Sequence, residues 1–234
     1  MPSTPTLTVL GGGAAHGLVH ELAPALERET GHAIDGTFDA VGKIAARIRA
    51  GARPDIIVLT AALIAELTGE DHLAQGSAAE IGSVATSVAV RAGDPVPAID
   101  TADGLCAALL GAGEIFFPDP QLATAGIHFT KVMGRLGVLE QLAPRLRPFP
   151  NGTTAMRELA ATSSDRPIGC TQLTEILATP GLVAVGPLPE GYGLTTVYTA
   201  AIGSHAAPPA VAERFVSILT GPETGPIRHR LGFR

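Results

Sequence analysis

Leu7-Thr-Val-Leu-Gly-Gly-Gly-Ala-Ala15 is the stretch that decides the fold. Its apolar first half predicts a short strand, Gly11-Gly-Gly13 predicts a turn, and the leucines that follow at 18, 22 and 26 share one face of a helix. Gly31 closes that helix, residues 34–38 read as a second strand, and a shorter helix over 43–50 stops at Gly51. Asp55-Ile-Ile-Val-Leu-Thr60 is then an almost unbroken apolar run. That is the pattern of a strand buried on both faces of a parallel sheet, and a helix over 61–67 follows it. Strand, turn and helix repeated in this order define an α/β protein.

The alternation continues along the chain. A strand over 84–90 precedes the turn Ala92-Gly-Asp-Pro95, and Thr101 is placed to cap a helix through 110. Residues 114–117 form a strand that Pro118-Asp-Pro120 breaks, ahead of a helix capped by Thr124 and ending at Arg135. Thr153 is expected to cap a helix through 161. Beyond it come a strand over 167–170, a short helix over 172–177, an apolar segment at 182–185, a strand over 195–202, and helices over 210–219 and 223–231. Two α/β halves of about 100 residues each fit this length. Residues 1–83 with 203–234 form one lobe and 84–202 the other, the chain crossing at 84–90 and 195–202, with a ligand cleft between the lobes.

Composition narrows the partners. Hydrophobic residues make up 46% of the 234 and charged residues 16%, which suits packed cores and not disorder. The 16 Lys and Arg against 22 Asp and Glu leave a net charge of −6, so there is no general attraction to nucleic acid or to an anionic membrane surface. Aromatics are 4% and Trp is absent, too few for base-stacking platforms or a sugar-stacking cleft. Cys106 and Cys170 lie in apolar surroundings without a CxxC partner, so neither a zinc site nor a disulfide is expected, and no cofactor is implied. The opening segment lacks a basic region and a long apolar run, which predicts a cytoplasmic protein as written and no membrane insertion. A periplasmic one is expected if a signal segment has been removed.

Four segments, taken in order and spacing, carry a resemblance: the opening stretch, Glu21-Leu-Ala-Pro-Ala-Leu-Glu-Arg-Glu-Thr-Gly31, Ala50-Gly-Ala-Arg-Pro-Asp-Ile-Ile-Val58, and Pro118-Asp-Pro120 leading to Gly126. With them the chain resembles the type II periplasmic solute-binding fold and, within it, the molybdate-binding-protein-like family of ABC-transporter substrate-binding proteins, which has aconitate-isomerase-like relatives. The resemblance implies a small anion held between two lobes by helix N-termini and by loops at the carboxyl ends of strands. In an exported protein it also implies a membrane permease as partner. Molybdate binders place hydroxyl side chains near the first and second strand-to-helix turns. Here those turns present Gly13, Ala14 and Ala15, and Asp39, Ala40, Val41 and Gly42.

The candidate ligand residues follow from these turns. Gly12, Gly13, Ala14 and Ala15 precede a helix, where backbone N–H groups and the dipole favour an anion; the same glycines also suit a plain tight turn. Val41, Gly42 and Lys43 lie in the second strand-to-helix turn, and Lys43 begins the helix, where a cation sits against the dipole unless an anion is near; exposure alone would also explain it. Thr60 ends the third strand, where its hydroxyl can meet a ligand or cap the next helix. In the second lobe Thr124, Ala125 and Gly126 form the opposing helix start, with Asn151, Thr153 and Gln172 as neutral donors beside it. No Ser-His-Asp order, GxSxG elbow or HExxH is present, so hydrolase chemistry is not expected. Two readings remain: a binder of an organic carboxylate or oxoanion, and an isomerase of a small di- or tricarboxylate. In the isomerase His16 would be the catalytic proton carrier, with Lys43 and His128 as other titratable groups.

Overall fold

A computed structural model describes residues 4–234. The chain divides into two compact units: the part up to Ser83 together with Val197–Arg234, and Val84–Thr196.

The first unit begins with β1 (Thr6–Gly12), a short 3-10 turn (Gly13–Ala15) and α1 (His16–Thr30). α1 buries Leu18, Val19, Leu22 and Leu26 and ends at Gly31, whose φ of 72° is the left-handed conformation that glycine adopts without strain. β2 (Ala33–Asp39), α2 (Val41–Arg49), β3 (Ile56–Thr60) and α3 (Ala61–Gly69) follow. β1 pairs in parallel with both β2 and β3, Val9 opposite Ile56 and Gly12 opposite Asp39. Every residue of β3 is buried, as its unbroken apolar run requires. β4 (Ala79–Arg91) then carries the chain into the second unit.

There α4 (Ala102–Gly111) is capped by the Thr101 hydroxyl, and β5 (Ile115–Pro118), α5 (Thr124–Arg135), α6 (Leu139–Leu142), β6 (Leu146–Phe149), α7 (Gly152–Ala161), β7 (Ile168–Gln172), α8 (Leu173–Leu177) and β8 (Leu182–Pro187) complete the unit. β5 alternates as a strand must. Ile115 and Phe117 join a core with Leu105, Leu109 and Phe129, while Phe116 turns to the other face against Met156 and Leu159. β9 (Thr195–Ile202) returns the chain to the first unit, where α9 (Pro209–Thr220) and α10 (Gly225–Arg230) finish it. Arg214 and Arg230 pair with Glu29 and Glu21 of α1.

The structure corrects the sequence reading at several points. The sheets are mixed: β9 runs antiparallel to β3, and β4 antiparallel to both β7 and β8. β6 was not expected, because Pro148 breaks an apolar pattern of only four residues; it pairs with β5 at the end of the strand order, where a missing N–H is tolerated. α2 begins at Val41, not Lys43. Thr124 is the first residue of its helix and caps nothing, and α7 is capped by Asn151, whose Oδ1 accepts from the Thr154 N–H at 2.9 Å, not by Thr153.

One buried carboxylate ties the first unit together. Asp55 accepts hydrogen bonds from the Thr8 N–H (2.8 Å), the Thr8 hydroxyl (2.6 Å) and the Ala207 N–H (2.9 Å), joining β1 to the loop before α9. Asp55→Ala leaves all three donors without this acceptor. We expect it to lower stability by about 3 kcal/mol in urea titration, and a loss under about 1 kcal/mol would show that the clamp is dispensable.

Candidate functional site

β1, β2 and β3 are parallel, so the three turns that follow them lie at one edge of the first unit's sheet, the edge where open α/β sheets take ligands. Antiparallel β9 brings Tyr198 to that edge opposite Thr60. The glycines here are demanded by packing. A Cβ on Gly11 would lie 2.9 Å from the Phe38 ring, and one on Gly12 would lie 2.7 Å from Val41 Cγ1 and 3.3 Å from Tyr198 Cε1. Gly12 is extended (φ −67°, ψ 148°) and leads into the 3-10 turn of Gly13, Ala14 and Ala15, so that neither Gly12 nor Ala15 supplies a side-chain acceptor to the helix start. Tyr198 was missed in the sequence because it reads there as one more residue of an apolar strand.

The neighbouring groups are partly engaged already. Lys43 Nζ lies 2.6 Å from Asp39 Oδ2 with its side chain half exposed, so the anion that a lysine at a helix start calls for is supplied by the chain itself. Asp39 Oδ1 also accepts from the Ala40 N–H. Thr60 accepts from the Leu63 N–H at 3.4 Å and so caps α3. His16 stands at the first turn of α1 with its ring centroid 4.9 Å from that of Phe38 and 6.3 Å from that of His20. Partial burial and then the neighbouring His20 hold its imidazole below the usual histidine range, which keeps it neutral near pH 7 and able to accept a proton.

In the second unit β5, β6 and β7 are parallel, so α5, α7 and α8 start from one edge, and antiparallel β4 places Thr86 there opposite Gln172. The Asp119 carboxylate accepts from the Gln121 and Leu122 N–H groups at 2.7 and 2.9 Å. α5, a helix of twelve residues, begins after Ala123 with no side-chain cap, and Thr124, Ala125 and Gly126 form its start. His128 is a tether: its Nε2 lies 2.7 Å from the Tyr192 carbonyl oxygen, and Arg135 of the same helix stacks 4.4 Å over the Tyr192 ring.

The start of α7 is taken from within. The buried carboxyl of Glu175 receives hydrogen bonds from the Thr171 hydroxyl at 2.6 Å, from the Gln172 N–H, and from both the N–H and the hydroxyl of Thr153. Burial pushes this carboxyl above the ordinary range, against the downward pull of those donors. Thr153 is therefore committed to Glu175. Gln172 donates from Nε2 to the Thr196 hydroxyl at 3.3 Å, and Gln172 Oε1, Thr86 Oγ1 and Thr174 Oγ1 are buried with no hydrogen-bond partner among the described residues. No group of three or more His, Cys, Asp or Glu among the described residues could hold a metal ion. Cys170 is buried, which pushes its thiol up and away from thiolate chemistry.

Each unit thus carries strand ends, helix starts lacking a side-chain cap, and neutral hydrogen-bonding side chains, the equipment of a protein that binds a small solute. The chain belongs to the bacterial extracellular solute-binding protein family, which matches residues 7–234. It is 25% identical to an aconitate isomerase of Pseudomonas sp over 93% of this chain and 83% of that protein, and 23% identical to the molybdate-binding protein ModA of Escherichia coli K12 over 97% and 88%. The periplasmic molybdate-binding protein of Azotobacter vinelandii shares its fold, with a TM-score of 0.80, 24% identity, and coverage of 97% of this chain and 98% of that one. The fold is the type II periplasmic-binding-protein-like α/β fold.

Proposed function

We propose that this solute-binding protein takes a small anion with at least two acceptor oxygens, an organic carboxylate or an oxoanion. The observation that carries the reading is that helix starts at the carboxyl edge of each sheet, among them Gly13–Ala15 with α1 and the start of α5, lack a side-chain cap. Gln172 adds a neutral amide. As an extracellular solute-binding protein it would deliver its ligand to a membrane permease from the periplasm, and the family favours this location over the cytoplasm.

A thermal-shift and calorimetry panel of citrate, cis- and trans-aconitate, sulfate, phosphate and molybdate, with neutral sugars and cationic peptides as controls, tests this. A native-state ligand at 100 times its Kd adds about 2.7 kcal/mol of apparent stability. Micromolar binding of a sugar or a cationic peptide, with every anion inert, would overturn the reading.

The second reading is an isomerase moving a proton beside a carboxylate. It is favoured by the aconitate isomerase relative and by the position of neutral His16. The same panel run in D2O separates the two: a binder leaves substrate C–H protons in place, whereas an isomerase with a solvent-exchanging base washes deuterium into aconitate.

A further inference from the structure

Residues 171–175 alternate between two roles. Thr171 and Glu175 face inward onto the start of α7, where the Glu175 carboxyl collects donors from Thr171, Gln172 and Thr153. The fit is close: a Cβ on Gly152 would lie 2.0 Å from Glu175 Oε2 and 2.2 Å from Thr171 Oγ1, so no other residue can stand at that position while the clamp is closed. The residues between, Gln172 and Thr174, are 3% and 6% exposed and keep Gln172 Oε1 and Thr174 Oγ1 without partners among the described residues.

A buried polar atom without a partner costs free energy, and a turn free to move would swing such atoms toward water or toward a backbone group. Here it is not free to move. The turn is held on one side by the β7 pairing of Thr171 and Gln172 with Ser87 and Thr86, and on the other by four donors converging on one carboxyl. The Gln172 amide also has two settings. Its Nε2 donates to Thr196, or, turned over, its Oε1 accepts from the Thr196 hydroxyl and two N–H donors are released. In the second setting the amide and the Thr174 hydroxyl both offer donors, the form that carboxylate or oxoanion oxygens require.

We propose that Glu175 is the positioning residue of an anion-binding surface on the second unit, holding Gln172 and Thr174 unsatisfied so that both donate to the oxygens of the bound anion. This rests on the anion reading given above and assigns Thr174 as a further ligand residue. Internal partners satisfy Glu175 itself, so it acts through its neighbours and not by touching the ligand.

Calorimetry at 20 °C with citrate, trans-aconitate and molybdate as probes, on the wild type, Gln172→Ala, Thr174→Val, Glu175→Gln and the Glu175→Gln/Gln172→Ala double variant, decides it. Gln172→Ala should weaken the tightest of these probes by about 10- to 100-fold, and Thr174→Val by about tenfold. Glu175→Gln exchanges one acceptor oxygen for a donor, breaks the clamp, and should cost about tenfold. The double variant should lose clearly less than the product of the two single losses, because one of the two positioned groups is then gone. Thr171→Val removes one donor and keeps the carboxyl; should Glu175→Gln not fold, Thr171→Val takes its place in the cycle and should show a smaller loss of the same non-additive kind. Glu175→Gln with a lower Tm and wild-type affinity would make the residue purely structural and end the proposal. Multiplying losses in the double variant would also end it. A wild type that binds none of the three probes would fail the anion reading itself, and the assignment of Thr174 and Glu175 with it.

Discussion

Gly126→Ala is expected to cost about 3 kcal/mol of stability, enough to lower Tm by about 6–12 °C in a chain of this size. The added Cβ would lie 2.2 Å from the Pro118 carbonyl oxygen and 2.3 Å from that of Asp119. Both obstacles are backbone. They cannot swing aside as a side chain would, since Asp119 is fixed by the two N–H groups that its carboxylate accepts and Pro118 is paired in β5. Relief would require α5 to lift from β5, and α5 buries Ala125, Phe129, Val132 and Met133. Gly134→Ala, in the same helix with nothing within 4 Å of the new Cβ, is the control: it should stabilise by about 0.5–1 kcal/mol through the unfolded chain and helix propensity. If the two variants melt alike, the close approach at Gly126 carries no energy and the start of α5 is free to move.

Gly126 also shows what a sequence can and cannot disclose. Its place at a helix start behind Pro118-Asp-Pro120 was legible, because the apolar period changes from two to 3.6 across it. That the residue must be glycine for contact with two carbonyl oxygens was not, since both contacts depend on how α5 docks. The same division runs through the molecule. Leu18, Leu22 and Leu26 announced α1, and the run from Ile56 to Thr60 announced a buried strand, because burial leaves a local pattern. The antiparallel pairing of β9 with β3, and of β4 with β7 and β8, leaves none, and β6 is too short and too proline-interrupted to be seen. Among the candidate ligand residues, those on turns were placed on strand ends and helix starts, yet the engagement of Thr153 by Glu175 joins residues 22 apart and could not be read from either. Thr60 was legible in both of its roles, and the structure gives it the cap. For Lys43 the sequence left a nearby anion and plain exposure both open; the structure shows a half-exposed side chain paired with Asp39, four residues earlier.

Molybdate is expected to bind the wild-type protein at micromolar strength or weaker. Ala14, Ala15, Ala40 and Val41 occupy the first two helix starts of the first unit, all buried and none bearing a hydroxyl. Val41 Cγ1 moreover stands over Gly12, 2.7 Å from where a Cβ would be, so that an apolar methyl fills space beside the helix start. A tetrahedral oxoanion has four equivalent oxygens and only hydrogen bonds with which to distinguish a site from water. Losing two bonds from hydroxyl to charged oxygen, each worth roughly 1.5 to 3 kcal/mol, removes about two to four decades of affinity. A carboxylate ligand with a carbon skeleton is less penalised, because its methylene groups can lie against the partly exposed Phe38 ring at about 25 cal/mol per Å² of apolar area covered. Ala14→Ser with Val41→Ser restores two hydroxyls and removes the Val41 methyls, so molybdate affinity should rise by at least about 100-fold while binding of citrate or aconitate is unchanged or falls. Isothermal titration of both proteins with molybdate and trans-aconitate measures the exchange directly. Nanomolar molybdate binding by the wild type would mean that backbone amides alone suffice for the oxoanion, and the apolar first turn would then lose its role in selecting carbon acids.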